Sequence, residues 1–160
     1  MKKFKTKIYY LAIYQLLGGI VGIIFLVYTV ITLDHFSTNL IIPFLFFCYS
    51  IICGYLLERE KYQIGLRLSF YNNLIQIIGF RLGGITFFVV SGIIGSITLD
   101  LTNDTFLGLY FWVSYFDISL SSNTDIIFIS VNLIAIGIVI LIWKLQKQFL
   151  KLSEQLVLDV

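Results

Sequence analysis

The sequence predicts an all-α integral membrane protein of four transmembrane helices, and three observations carry that prediction. Of 160 residues, 59% are hydrophobic and only 12% are charged, whereas an ordinary soluble domain has about a quarter of its residues charged. Eleven basic and nine acidic residues are too few to solvate the surface of a chain whose mean hydropathy is +0.96. The basic residues also fall into three groups: Lys2, Lys3, Lys5 and Lys7; Arg59, Lys61, Arg67 and Arg81; Lys144, Lys147 and Lys151. Four apolar runs, 8–33, 39–57, 82–99 and 126–143, occupy the intervals. At ~1.5 Å per residue, each crosses or nearly crosses a hydrocarbon core of roughly 30 Å.

The run 8–33 outlasts the ~7–15 residues of a signal-peptide core and ends without a small-residue cleavage site, so it reads as an uncleaved anchor. Basic residues flanking spans resist translocation. Four spans place all three basic groups, and both termini, on the cytoplasmic side. The two outer connections, 34–38 and 100–125, then contain five aspartates and no Lys or Arg. The expected location is a bacterial cytoplasmic membrane. Segments 20–30 and 134–142 are apolar on every face, which excludes the alternation of a transmembrane β-barrel.

Segment 62–80 mixes Gln63, Arg67, Ser69, Asn72, Asn73 and Gln76 with apolar residues. It is predicted to lie along the cytoplasmic interface as an amphipathic helix, followed by a turn at Gly83-Gly84 and a third helical span. The outer segment 100–125 is aromatic at its centre, with Phe106, Tyr110, Trp112 and Tyr115. Its alternation favours short strands closed at Ser121-Ser122-Asn123, although Phe106, Leu109, Tyr110, Val113 and Phe116 also fit one helical face. The tail 144–160 is amphipathic: Lys144, Lys147, Lys151 and Glu154 share one face, and Leu145, Phe149, Leu152 and Leu156 another. It is read as a helix end lying along the cytoplasmic interface.

An offset of 61 residues aligns Tyr10, Gln15, Gly18 and Gly22 with Tyr71, Gln76, Gly79 and Gly83, which raises a two-span repeat as one reading and coincidence in an Ile-, Leu- and Gly-rich chain as the other. The pairs Gly18/Gly22, Gly79/Gly83 and Ser91/Gly95 have the four-residue spacing that lets helices approach closely, and are candidate packing faces. Gln15, Gln76 and Asn132 are candidate polar contacts between helices. Arg81 is expected to snorkel to the cytoplasmic interface, with an ion-pairing role as the alternative.

Material for catalysis is sparse. His35 is the single histidine, and Cys48 and Cys53 point about 140° apart on a helix, so neither a metal site nor a cofactor is expected. No nucleophile elbow, phosphate loop or zinc-protease motif occurs. Asn103-Asp104-Thr105 fits a glycosylation sequon, which matters only in a secretory eukaryotic host. The expected partners are the lipid bilayer and either a second copy or another membrane protein, with no nucleic acid. The function expected is non-enzymatic association. The alternative is a small transporter or channel subunit whose pathway is lined by Gln15, Gln76, Asn132 and Arg81.

Overall fold

A computed structural model of the chain describes residues 2–33, 40–102, 105–122 and 124–158. It shows a mixed α/β fold: α1 (Lys2–Leu33), α2 (Ile41–Glu58), α3 (Tyr62–Ile75), β1 (Ile78–Leu82), β2 (Ile85–Asp100), β3 (Phe106–Leu120), β4 (Phe128–Asn132) and α4 (Leu133–Leu158). This overturns the expected all-α bundle of four spans. Three helices are long and apolar enough to cross a membrane, α1, α2 and α4. The run 82–99 is a strand, and 126–143 is divided between β4 and α4.

The helices meet at one end of the molecule. Phe4 of α1 packs against Tyr62 of α3 and Phe149 of α4 at 5.8 and 6.4 Å between ring centroids. Above this aromatic contact, Ile8 and Leu11, Leu57, Leu66, Ile142 and Leu145 form a buried core drawn from all four helices. The apolar face of the 144–160 tail therefore docks on the bundle through Leu145, Phe149 and Leu152 rather than lying along the interface.

The α2–α3 corner is tied to this same end. Helix α2 closes with bonds from Glu60 N to Leu57 O and from Lys61 N to Leu56 O, the pair of a Schellman cap. That cap needs a left-handed residue, and Glu60 takes φ 57° in place of the usual glycine. Its carboxylate receives Lys5 Nζ at 2.8 Å, and the Lys5 ammonium holds the Glu60 carboxyl below the usual carboxylate range. Lys5, Arg59 and Lys61 thus converge with the aromatic end of α4.

Helix α3 carries the chain roughly 20 Å away from that end, and the sheet begins two residues beyond it. Gly83 and Gly84, at φ 56° and 81°, close a two-residue hairpin between β1 and β2, the geometry that matches right-handed strand twist. The turn expected at these glycines is present, but it joins two strands. Arg81 lies within β1, opposite Thr86 and Phe128, and not at the end of a helix.

The sheet cannot be drawn flat. β2 pairs antiparallel with β1 through Ile85, Thr86 and Phe87, and with β4 through Ser96 to Asp100, while β1 and β4 also pair antiparallel. Three mutually antiparallel strands require one of them to reverse. β2 does so at a bulge between Val90 and Ile93, with Gly92 at φ 104°, and β3 bends with it at Ser114, φ 41°. Such bulges let one strand serve both faces of a folded-over sheet. β3 pairs with β2 along both arms, and it alone lacks a partner strand along one entire side among the described residues.

The sheet rests on the helices at this bend. An added Cβ on Gly18 of α1 would lie 2.6 Å from Gly92 N, and one on Gly92 would meet the Tyr14 ring at 2.6 Å. Ser114 Oγ accepts from Gly92 N and donates to Gly18 O, both at 3.0 Å. A second contact is apolar: Phe116 of β3 packs on Phe47 of α2, beside Leu26 and Leu40.

The 61-residue similarity corresponds to no repeated unit. Tyr10 to Gly22 is continuous helix, whereas Tyr71 to Gly83 passes through a helix end, a strand and a turn.

Candidate functional site

Two polar regions of different character flank the bend. The first is a junction between helices and sheet. Ser69 Oγ donates to Gln15 Oε1 at 3.2 Å, Asn72 Nδ2 to Ser50 Oγ at 3.2 Å, and Ser91 Oγ to Ser50 Oγ at 2.9 Å. Gln76 fastens the end of α3 to β2, since its Oε1 accepts from Ser91 N at 2.9 Å while its Nε2 donates to Asn72 O at 3.0 Å. All of these side chains are buried. Gln15 and Gln76 are thus brought to one network, as polar contacts that join α1, α2, α3 and β2.

Asn132 adjoins this junction: it lines one small cleft with Gln76, and its N–H donates to Ile77 O at 2.8 Å. Asn132 caps α4: its Oδ1 accepts from Ile134 N at 3.1 Å and Ala135 N at 3.4 Å. Arg81 is half-buried in β1, and its Nε is buried without a hydrogen bond. Gln76 and Asn132 thus share a cleft that neither Gln15 nor Arg81 lines. Of the small-residue pairs, only Gly18/Gly22 lies on a helix. Gly22 faces the Phe47 ring of α2, but Gly18 meets strand β2. Gly79 lies in β1 beneath Phe88, Gly83 is in the hairpin turn, Ser91 belongs to the junction and Gly95 faces Ile134. None of these last four lies on a helix, because β1, the turn and β2 replace the helix that their spacing implied; Ser91 and Gly95 instead meet α2 and α4 from β2.

The second region is the concave face of the bent hairpin, which encloses a cavity of about 440 Å³. Strand alternation builds it. Ile94, Ser96, Thr98 and Asp100 point inward from one arm of β2, opposite Trp112 and Tyr110, and the bulge lets Tyr115 and Asp117 face inward from the other arm. Phe88 covers Gly79 and completes the apolar wall, with its ring edge-on to Tyr115 at 5.5 Å. At the mouth, Tyr110 is 53% and Trp112 63% exposed.

Two carboxylates reach the cavity from opposite arms. Asp117 Oδ1 accepts from Ser119 Oγ and Asp100 Oδ1 from Thr102 N, each at 2.9 Å. The Thr102 hydroxyl and amide hold Asp100 below the ordinary carboxylate range. Neither aspartate meets a Lys or Arg within salt-bridge distance among the described residues. Ser96 is 2% exposed, and its Oγ has no hydrogen-bond partner.

Asp100, Asp117 and Ser96 are not apparent as a site in the sequence. Strand alternation from Ile94 to Asp100 and from Tyr110 to Trp112 is the signal that could have found them, had 82–99 been read as a strand. His35 and the sequon asparagine lie outside the described residues. Among the described residues no group of three His, Cys, Asp or Glu could hold a metal. Cys53 is buried and Cys48 half-buried in α2, both as free thiols. Comparison with protein-family models, curated proteins and solved structures finds no match for this chain.

Proposed function

We propose that this chain is a non-enzymatic integral membrane protein that works by association, pairing with a second copy through β3, with both termini cytoplasmic. The observation that carries this reading is the open side of β3. An unpaired strand edge is a template for another chain, and proteins blunt such edges with Lys, Pro or short length. β3 has none of these: it is 15 residues long, and 106–116 contains no charge and no proline. Leu107, Leu109 and Phe111 are 66, 69 and 74% exposed. The uncharged segment suits self-pairing, because an antiparallel copy centred near Leu109 keeps Asp117 away from its counterpart.

Depth strengthens the argument. With the inner boundary of the hydrocarbon at Lys7 and Lys144, eleven residues of helix separate Lys7 from Gly18 and Lys144 from Leu133. Both routes put the start of the sheet ~16 Å into a core of roughly 30 Å. Unpaired backbone facing lipid costs several kcal/mol per group, so β3 calls for a cover in the outer leaflet.

The test is mass by light scattering in maltoside and in nanodiscs. The expected result is two 18.4 kDa chains for the native protein, and one for Leu109→Lys/Phe111→Lys with unchanged circular dichroism. A native protein that is monomeric in both media, or a doubly substituted protein that remains dimeric, overturns the proposal.

A further inference from the structure

We infer that the concave face of the bent hairpin binds an organic ammonium ion, with Asp100 and Asp117 as counter-charges and Tyr110, Trp112 and Tyr115 as its aromatic walls. Two carboxylates on opposite arms of one cavity, neither within salt-bridge distance of a Lys or Arg among the described residues, give it negative charge. One oxygen of each accepts from Ser119 Oγ or Thr102 N, which orients the carboxylate. The buried Ser96 hydroxyl on the lining is a separate sign of an unmet polar contact.

The walls define which cation. A bare metal ion needs a shell of oxygen or nitrogen ligands, and no cluster of three ligating side chains exists among the described residues. Aromatic faces instead attract a bulky, weakly hydrated alkylammonium through the ring quadrupole, as in aromatic cages for choline-type groups. An anion would meet two carboxylates, and a neutral apolar guest would leave both uncompensated. Arg81, the one basic residue in the sheet, does not line the cavity. The volume of about 440 Å³ falls within the usual range for small-ligand sites. The cavity is open to a headgroup of the phosphatidylcholine type or to a free amine, which share this chemistry.

The experiment uses the full chain with Trp143→Phe, which leaves Trp112 as the single tryptophan, in non-ionic maltoside. Choline and tetramethylammonium are titrated against Trp112 fluorescence, with 3,3-dimethylbutan-1-ol as the neutral isostere. A saturable change with both cations and none with the alcohol is expected. Asp100→Asn/Asp117→Asn should weaken binding of both cations about tenfold or more, and Ser96→Ala should weaken choline, whose hydroxyl can pair with Ser96, about two- to threefold while leaving tetramethylammonium, which has no donor, unchanged. The thermal midpoint of each variant verifies folding. In nanodiscs, loss of the choline response in phosphatidylcholine but not in phosphatidylglycerol identifies the lipid headgroup as occupant. An equal response in both identifies a soluble amine. No saturable response to either cation, an equal response to the alcohol, or undiminished binding by the folded double variant overturns the inference. Dimerisation is not required for any of these outcomes.

Discussion

The junction at Gln15, Ser50, Ser69, Asn72 and Gln76 and the sheet face at Thr86 and Ser96 are both buried polar surfaces, and they are satisfied to different degrees. Each junction side chain makes at least one hydrogen bond to another element or to its own helix, although Gln15 Nε2 and Asn72 Oδ1 are buried without a partner. Thr86 and Ser96 are as deeply buried, yet their hydroxyls make none. Side chains tied into a buried network fix geometry, whereas a buried hydroxyl with no bond at all costs free energy. The junction is therefore read as scaffold and the hairpin interior as a surface shaped for something else. Between them, the Gly18–Gly92–Ser114 contact holds one against the other.

The contact at the bend is the place to break this comparison outright. Gly92→Val places a branched side chain at φ 104° and into the Tyr14 ring. The expected cost is about 3 kcal/mol or more, seen as loss of monodisperse protein on gel filtration. Gln76→Leu tests the scaffold half. It leaves Ser91 N without its acceptor, and a destabilisation of about 1–3 kcal/mol should appear as a lowered thermal midpoint in detergent. Thr86→Val sharpens the contrast, since it removes a hydroxyl that has no partner; stability should be unchanged or slightly raised. A loss as large as that of Gln76→Leu would abolish the distinction between the two regions.

Smaller effects are expected away from the two surfaces. Asn132→Ala removes the α4 cap, at about 1 kcal/mol, measurable by the same melting assay. The Lys5–Glu60 pair is exposed on both sides, so Lys5→Ala should give the smallest shift. Its pH dependence has a definite sign. Because Glu60 titrates below its ordinary value in the folded chain, the pair's contribution is present above the ordinary carboxylate range. It is lost as pH falls through the lowered value. Melting of the native chain should show that loss, and Lys5→Ala should not.

Much of the helical part was legible because lipid-facing helices leave a simple trace. α1 and α2 are long apolar runs bounded by charge, and the basic groups at Lys5, Arg59, Lys61 and Lys144 do converge on one end. The region 82–99 was misread because a length of 18 apolar residues suits a span as well as a doubly paired strand. The discriminating signal was present in its residue types: eight of the fifteen residues 85–99 are β-branched, and such side chains favour a pleated surface. The preceding Gly83-Gly84 agrees with a tight hairpin. The outer segment is a strand from Phe106 to Leu120, and its alternating aromatics were the fair indication.

By itself, the sequence determined that the chain is strongly apolar and that its long apolar runs are bounded by basic residues, and it pointed to four helical spans where three such helices form. Those properties are local sums of side-chain hydrophobicity and charge. Only the tertiary structure decided that Gly92 and Ser114 bend one hairpin, that Asp100 and Asp117 line one cavity, and that β3 keeps a side without a partner strand among the described residues. Each of these depends on pairing between residues distant in sequence, where a one-residue shift in register would turn every inward side chain outward.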